Sequence, residues 1–217
     1  MAGIEYFYSA HSVFAYIGAA RFRQIAAAAG RTVRHRPIDL NRLLQGIGGA
    51  PFAGRSTGHM RYFFGREIAR WAQERDAPVC GHVPAGHDAD MALPNCVLVA
   101  VQAAGGPVDD LAQRVLQAHW RDDTDITDPA ALAPLIAAVG LAPEAVLHAA
   151  GSAAVRAAYD ANIAEAVARS VFGSPTYIVD GDMFYGQDRL EMVEKALQAP
   201  YAGRPFGGPA QAAAAAN

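Results

Sequence analysis

The chain has 217 residues, 52% apolar and 18% charged, with a formal net charge of −3. That length can bury one large core, and the charge balance offers no basic field for nucleic acid or an anionic membrane. No apolar run approaches a bilayer span, and MAGIEYFYS has no basic segment before an apolar one, so a cytoplasmic location is expected.

Ile4–Tyr8 is short and aromatic-rich, as a strand would be. Phe14, Gly18, Phe22, Ile25 and Ala29 then fall on one face of a helix over residues 13–29, which Gly30 is placed to end. Ser12 stands at the junction, where an N-cap belongs. RTVRHRPI predicts a second strand. From Asp39 to about Arg169 no further strand pattern occurs. PFAGRSTGH reads as a loop and MRYFFGREIARWAQER as one amphipathic helix. Helices are predicted over 95–104, 108–120, 143–149 and 152–169, with another capped by Asp128 and opened by Pro129. PTYIVDGDMFYG gives two strands about the turn dipeptide Asp180–Gly181. DRLEMVEKAL predicts a last helix with Asp188 as cap and Glu191 completing a capping box.

This order, βαβ, a helical block, then ββα, predicts an α/β chain with one mixed sheet. It matches a thioredoxin-like domain, residues 1–40 and 170–198, with a large all-helical insertion, residues 41–169. Residues 199–217 are a low-complexity tail. A two-domain α+β chain fits the same pattern.

Cys80 and Cys96 form no CxxC motif and are expected to be buried and reduced. CGHVPAGHDAD gathers Cys80, His82, His87, Asp88 and Asp90 on a loop, but no ligand pair has helical i, i+4 spacing. No metal is expected.

SVFAYIG (Ser12–Gly18) resembles the S-P-F/Y-S-Y-L segment of the 2-hydroxychromene-2-carboxylate isomerases and kappa-class glutathione transferases. VFGSPTYIVDGDMFYGQDRL (Val171–Leu190) is similar to their V-F-G-V-P-T…D-G…F-W-G-Q/N-D-R-L signature. PIDL (Pro37–Leu40), EIARWA (Glu67–Ala72) and Asn95 also look like family positions, so the likeness spans roughly residues 4–198. The resemblance implies a thioredoxin-like domain interrupted by helices and related to the DsbA oxidoreductases. Ser12 and Ala15 stand where those relatives carry CxxC, so this chain lacks the thiols for dithiol exchange there. The thiol implied is that of bound glutathione.

On that likeness Ser12 stabilises the glutathione thiolate at the positive end of the first helix. The simpler role, a helix cap alone, needs no ligand. The resemblance further implies that Phe14, Ser174, Pro175, Tyr185, Gln187, Asp188 and Arg189 hold glutathione, with a cis bond before Pro175. Arg61, Tyr62 and Asn95 then meet substrate, a small aromatic electrophile or carboxylate. A homodimer is implied as well. Val13 and Ser9 depart from the usual proline and aspartate. The family's basic residues correspond here to Leu93 and a position within Gly58–Met60, so a carboxylate anchor must come from Arg61, Arg55, Arg42 or His59. His11 is a sequence neighbour of Ser12 with no orienting partner evident. The implied activity is a glutathione-dependent isomerase of aromatic catabolism. A kappa-like transferase or peroxidase is the alternative, and a non-catalytic thioredoxin-like binding module is a third reading.

Overall fold

The computed structural model describes residues 3–48 and 55–203. β1 (Ile4–Tyr8) leads into α1 (Val13–Ala28) and β2 (Val33–Pro37). α2 (Leu40–Gly46), α3 (Thr57–Arg61), a π-helical segment (Tyr62–Glu67) and α4 (Ile68–Glu74) follow. Next come α5 (Ala92–Ala103), α6 (Val108–Trp120), α7 (Pro129–Ala137), α8 (Pro143–Ala150) and α9 (Ala153–Ala168). β3 (Thr176–Val179), β4 (Asp182–Tyr185), a 3-10 turn (Gln187–Arg189) and α10 (Leu190–Gln198) close the described fold.

The strands form one mixed sheet in the order β2-β1-β3-β4, with β1 parallel to β2 and antiparallel to β3. Its pleat sorts the aromatic residues. Tyr6 stacks on Tyr8 and Tyr177 and tilts onto Phe22 of α1. Phe7 points the other way, beneath the guanidinium groups of Arg36 and Arg169. Both cations pair with Glu5 and Glu165, tying β1, β2 and α9 together. Helices α5, α6 and α9 from the middle of the chain pack on β2, and α1 packs on α6 and α10.

Among the described residues, no helix is long and apolar enough to cross a membrane. Asp180 and Gly181 both adopt positive φ, +50° and +95°, and turn β3 into β4 as that dipeptide predicts. Gly18 permits a close seat for the last segment. A Cβ there would lie 2.7 Å from the Gln187 Cβ, so glycine lets the 3-10 turn rest on α1.

Three local expectations are corrected. The loop expected over residues 51–59 includes the start of α3, because Ser56 caps it by accepting from the His59 amide at 3.2 Å; residues 51–54 lie outside the described residues. The single amphipathic helix of residues 60–75 is interrupted by the π segment. Asp188 does not cap α10: its carboxylate pairs with Arg189 at 2.6 Å, and the helix starts at Leu190 without a side-chain cap. α2, whose cap Asp39 accepts from the Asn41 and Arg42 amides, was not foreseen. Of the tail, residues 204–217 lie outside the described residues.

Candidate functional site

Four residues, Ser9 to Ser12, carry the chain from β1 to α1, and each is held from a different direction. Ser9 is fully buried, and its amide donates to the Ser174 hydroxyl at 3.1 Å. The Ala10 amide donates to Asn95 Oδ1 at 3.0 Å. The His11 carbonyl accepts from the Trp120 indole at 2.9 Å. The Ser12 amide turns back onto the Ser9 carbonyl. A loop pinned this many ways fixes the position of the helix pole that follows.

At that pole Ser12 is the N-cap, its oxygen accepting from the Ala15 amide at 3.3 Å. Its hydroxyl donates to the Ser174 carbonyl at 3.2 Å, across 162 residues of sequence. Both bonds are long, and a stronger acceptor would draw the hydroxyl proton to itself. The first amides of a helix lack intrahelical acceptors, so Val13 and Phe14 extend the donor set at this end of α1. Ser174–Pro175 is cis, and the Pro175 carbonyl accepts from the Gly186 amide, bringing the segment after β4 beside the same pole.

Around this centre the other candidate residues separate. Phe14 meets Phe63 with ring centroids 5.2 Å apart, and Arg55 lies 5.8 Å over the same Phe63 ring. Tyr185, on the edge strand, rests on Gly173 and against Phe172. Burial pushes its hydroxyl pKa up, opposed by the charge of Arg55. Gln187 is buried, accepting from Arg75 Nε at 3.2 Å, while Arg75 also grips Glu191 with both ends of its guanidinium. Asp188 and Arg189 form their ion pair next to it, both partly exposed. Arg61 and Tyr62 lie exposed on the outer helix, where Tyr62 meets Arg70. Of the four candidate carboxylate anchors, Arg42 is bonded to Asp160 at 2.7 Å and His59 stands edge-on to Phe63. Only Arg55 and His59 share the Phe63 ring that reaches α1.

Asn95 is completely buried, and its amide bridges three elements. Oδ1 takes the Ala10 amide, while Nδ2 donates to the Ile38 carbonyl and the Tyr159 hydroxyl, each at 3.2 Å. Asn95→Ala is expected to leave all three unpaired and lose about 3 kcal/mol of stability. Urea unfolding checks this; a change below ~0.5 kcal/mol would remove the clamp from the account.

The sequence reading missed a histidine cluster behind Ser12. His11 Nδ1 bonds to Ser9 Oγ at 2.9 Å, which supplies the orienting partner the sequence left unseen. The His11 ring meets His87 edge-on at 5.0 Å, and His87 Nδ1 bonds to His119 Nε2 at 3.0 Å. His119 Nδ1 donates to the Thr124 carbonyl, so in its neutral form His119 Nε2 is an acceptor. Burial first, and then the neighbouring His87 and His119, hold the His11 pKa down to about 3. For His119 burial does the same, to about 4. These rings are therefore neutral at pH 7. His11 stood out beside Ser12 and His87 within CGHVPAGHDAD, but nothing in the sequence joined them to each other or to His119 on α6.

The two cysteines stand apart from this centre: Cys96 is buried on α5 and Cys80 is half-buried on the α4–α5 loop. Of the sequence cluster around Cys80, His87 joins the buried histidines, whereas Cys80 and His82 face Asp123.

The chain is 26% identical over 195 residues to a 2-hydroxychromene-2-carboxylate isomerase from Pseudomonas putida, covering 89% of this chain and 93% of that protein. A solved structure of 2-hydroxychromene-2-carboxylate isomerase superposes with a TM-score of 0.75 at 25% identity, covering 90% of this chain and 94% of the other. The cytosolic disulfide reductase DsbM from Pseudomonas aeruginosa, solved with GSH, matches in fold with a TM-score of 0.61 at 18% identity, covering 91% and 93%. The model of the DSBA-like thioredoxin domain matches residues 3–198. With the mixed sheet, the helices between β2 and β3 and the cis proline beside α1, the chain belongs to the DSBA-like thioredoxin domain family.

Proposed function

We propose that this chain is a glutathione-dependent isomerase acting on a small aromatic carboxylate of the 2-hydroxychromene-2-carboxylate type. The observation that carries the reading is the α1 pole: a serine hydroxyl and two helix-start amides converge beside a cis proline, with no cysteine at the pole. Such a pole favours an anion of the size of a thiolate. The names of the relatives supply the reaction class, and the fold neighbour DsbM, solved with GSH, supports glutathione as the thiol.

Ser174 and Pro175 hold the cysteinyl part of glutathione in this reading. Asp188 and Arg189 present opposite charges side by side, suited to the ammonium and carboxylate of the γ-glutamyl end. Phe14 and Tyr185 flank the sulfur. Gln187 acts through Arg75, which anchors the segment. The sulfur adds to the conjugated substrate, forming an S–C bond and sending the electron pair toward the carbonyl oxygen. The double bond thereby becomes a rotatable single bond. After rotation the electrons return, the S–C bond breaks and the thiolate is recovered. Ser12 and the amides favour the anionic sulfur, and Arg55, on the Phe63 face, balances the substrate carboxylate. Asn95 keeps the loop in place from below.

Following product and free glutathione together tests this. Product should accumulate with glutathione unchanged and should stop when glutathione is removed. Loss of one glutathione per product would make the chain a transferase instead.

A further inference from the structure

We infer that Cys80, His82 and Asp123 form a binding site for a zinc-class divalent cation, on the face where the α4–α5 loop meets the end of α6. Cys80 Sγ, a His82 ring nitrogen and an Asp123 carboxylate oxygen all lie within 4.8 Å of one another. This site is separate from the α1 pole and uses none of its residues.

His82 and Asp123 are each aimed by a second bond on the far side of the ligand group, while the Cys80 thiol donates to the His82 carbonyl at 3.4 Å. His82 Nδ1 lies 3.0 Å from the Cys80 carbonyl, which can only accept, so the proton is on Nδ1 and Nε2 is left for the cluster. Metal-binding histidines are commonly oriented in this way. Asp123 Oδ1 accepts from the Ala85 amide at 2.9 Å, leaving Oδ2 for the cluster. The Cys80 amide donates to the Trp120 carbonyl at 2.8 Å, fixing the backbone that carries the thiol. Gly81 at φ +83° makes the sharp step that puts the thiol and imidazole on one side, and Asp123 turns back at φ +54° after α6.

His82 Nε2 and Asp123 Oδ2 face one another at 2.9 Å. With Nδ1 turned to the Cys80 carbonyl, Nε2 and the carboxylate oxygen are the two atoms presented across that gap, a pair suited to a bound cation. Zinc, at about 2.0–2.2 Å from nitrogen and oxygen, needs the pair to open to roughly 3.3 Å, a shift of a few tenths of an ångström. A thiolate, an imidazole and a carboxylate together suit zinc or cobalt better than the oxygen-seeking calcium or magnesium. His82 and Asp123 are exposed, which leaves a fourth position for water. Binding would release the thiol proton. The clamp would fasten the loop that carries His87 to the element that carries His119 and Trp120.

Titration of the reduced full-length chain with Co2+ is the test, followed by competition with Zn2+. One equivalent should bind with the near-ultraviolet absorption of a cobalt–thiolate bond, and Zn2+ should remove it. Cys80→Ser should abolish that band. His82→Ala and Asp123→Asn should each weaken binding by at least the ~10-fold that losing a supporting partner costs. His82 and Asp123 are exposed and Cys80 is half-buried, and circular dichroism checks that each variant is folded. His87→Ala should leave the band intact. No band in the native chain, or a band that survives Cys80→Ser, would overturn the site. So would loss of the band in a folded His87→Ala variant, which would place the ion among the buried histidines.

Discussion

Ser12→Ala is expected to lower turnover at neutral pH by ~10- to 100-fold and to move the pH optimum upward. The magnitude follows from removing one hydrogen bond to a charged acceptor, worth about 1.5–3 kcal/mol. The direction follows from the thiol: with less stabilisation of its anion, the bound sulfur stays protonated to higher pH. Alanine also removes the cap on Ala15, at a cost of ~1 kcal/mol in stability. Ser12→Thr separates the two effects, since threonine keeps a hydroxyl for both the cap and the sulfur. Steady-state rates against pH for the three proteins decide. If Ser12→Ala shows the native pH profile and loses only stability, Ser12 is a cap and nothing more.

The second large effect is on stability in mild acid. A buried histidine whose folded pKa lies below its ordinary 6.5 binds a proton more readily once the chain unfolds. Its contribution is complete above about pH 6.5 and is lost as the pH falls toward the folded value. For His11 that value is about 3 and for His119 about 4, so both are still losing stability at pH 5. Each pH unit in this window costs about 1.4 kcal/mol per histidine, or roughly 2 kcal/mol each between pH 6.5 and pH 5. The paired carboxylates of Glu5, Asp109 and Glu191 have lowered pKa values and contribute their loss at lower pH. Urea unfolding at pH 7 and pH 5 should therefore differ by about 4 kcal/mol. His119→Gln should roughly halve the difference. Equal stability at the two pH values would mean that the cluster is not held neutral.

What the sequence made legible were features written in short range. The aromatic-rich run of Ile4–Tyr8, the helical face from Phe14 to Ala29 and the Asp180–Gly181 turn need only neighbouring residues to be understood. So does Ser12 at the head of α1. The matched motifs at the two chain ends led to one sheet, because β1 and β3 must pair for them to meet. The helix at Leu40 was missed although Asp39 is an ordinary cap, since seven residues show too little of a helical period. Asp188 failed as a cap because Arg189 offered a charged partner that the capping pattern does not weigh. The histidine cluster was out of reach for another reason. His11, His87 and His119 come from three separate elements, and no spacing rule relates them before the chain is folded. Cys80 and His82 were noticed together, but Asp123, 41 residues beyond His82, was not. The same holds for Asn95: its identity was legible, while its role as a bridge between Ala10, Ile38 and Tyr159 depended on tertiary packing.

Crystals of the chain grown with glutathione decide whether the α1 pole holds the sulfur. The tripeptide should run antiparallel to the Ser174–Pro175 segment, its sulfur within hydrogen-bonding distance of Ser12 Oγ and of the Val13 or Phe14 amide. The Ser12 hydroxyl should turn from the Ser174 carbonyl toward that sulfur. A sulfur bound away from the α1 pole, or no tripeptide there at saturating concentration, would contradict this placement.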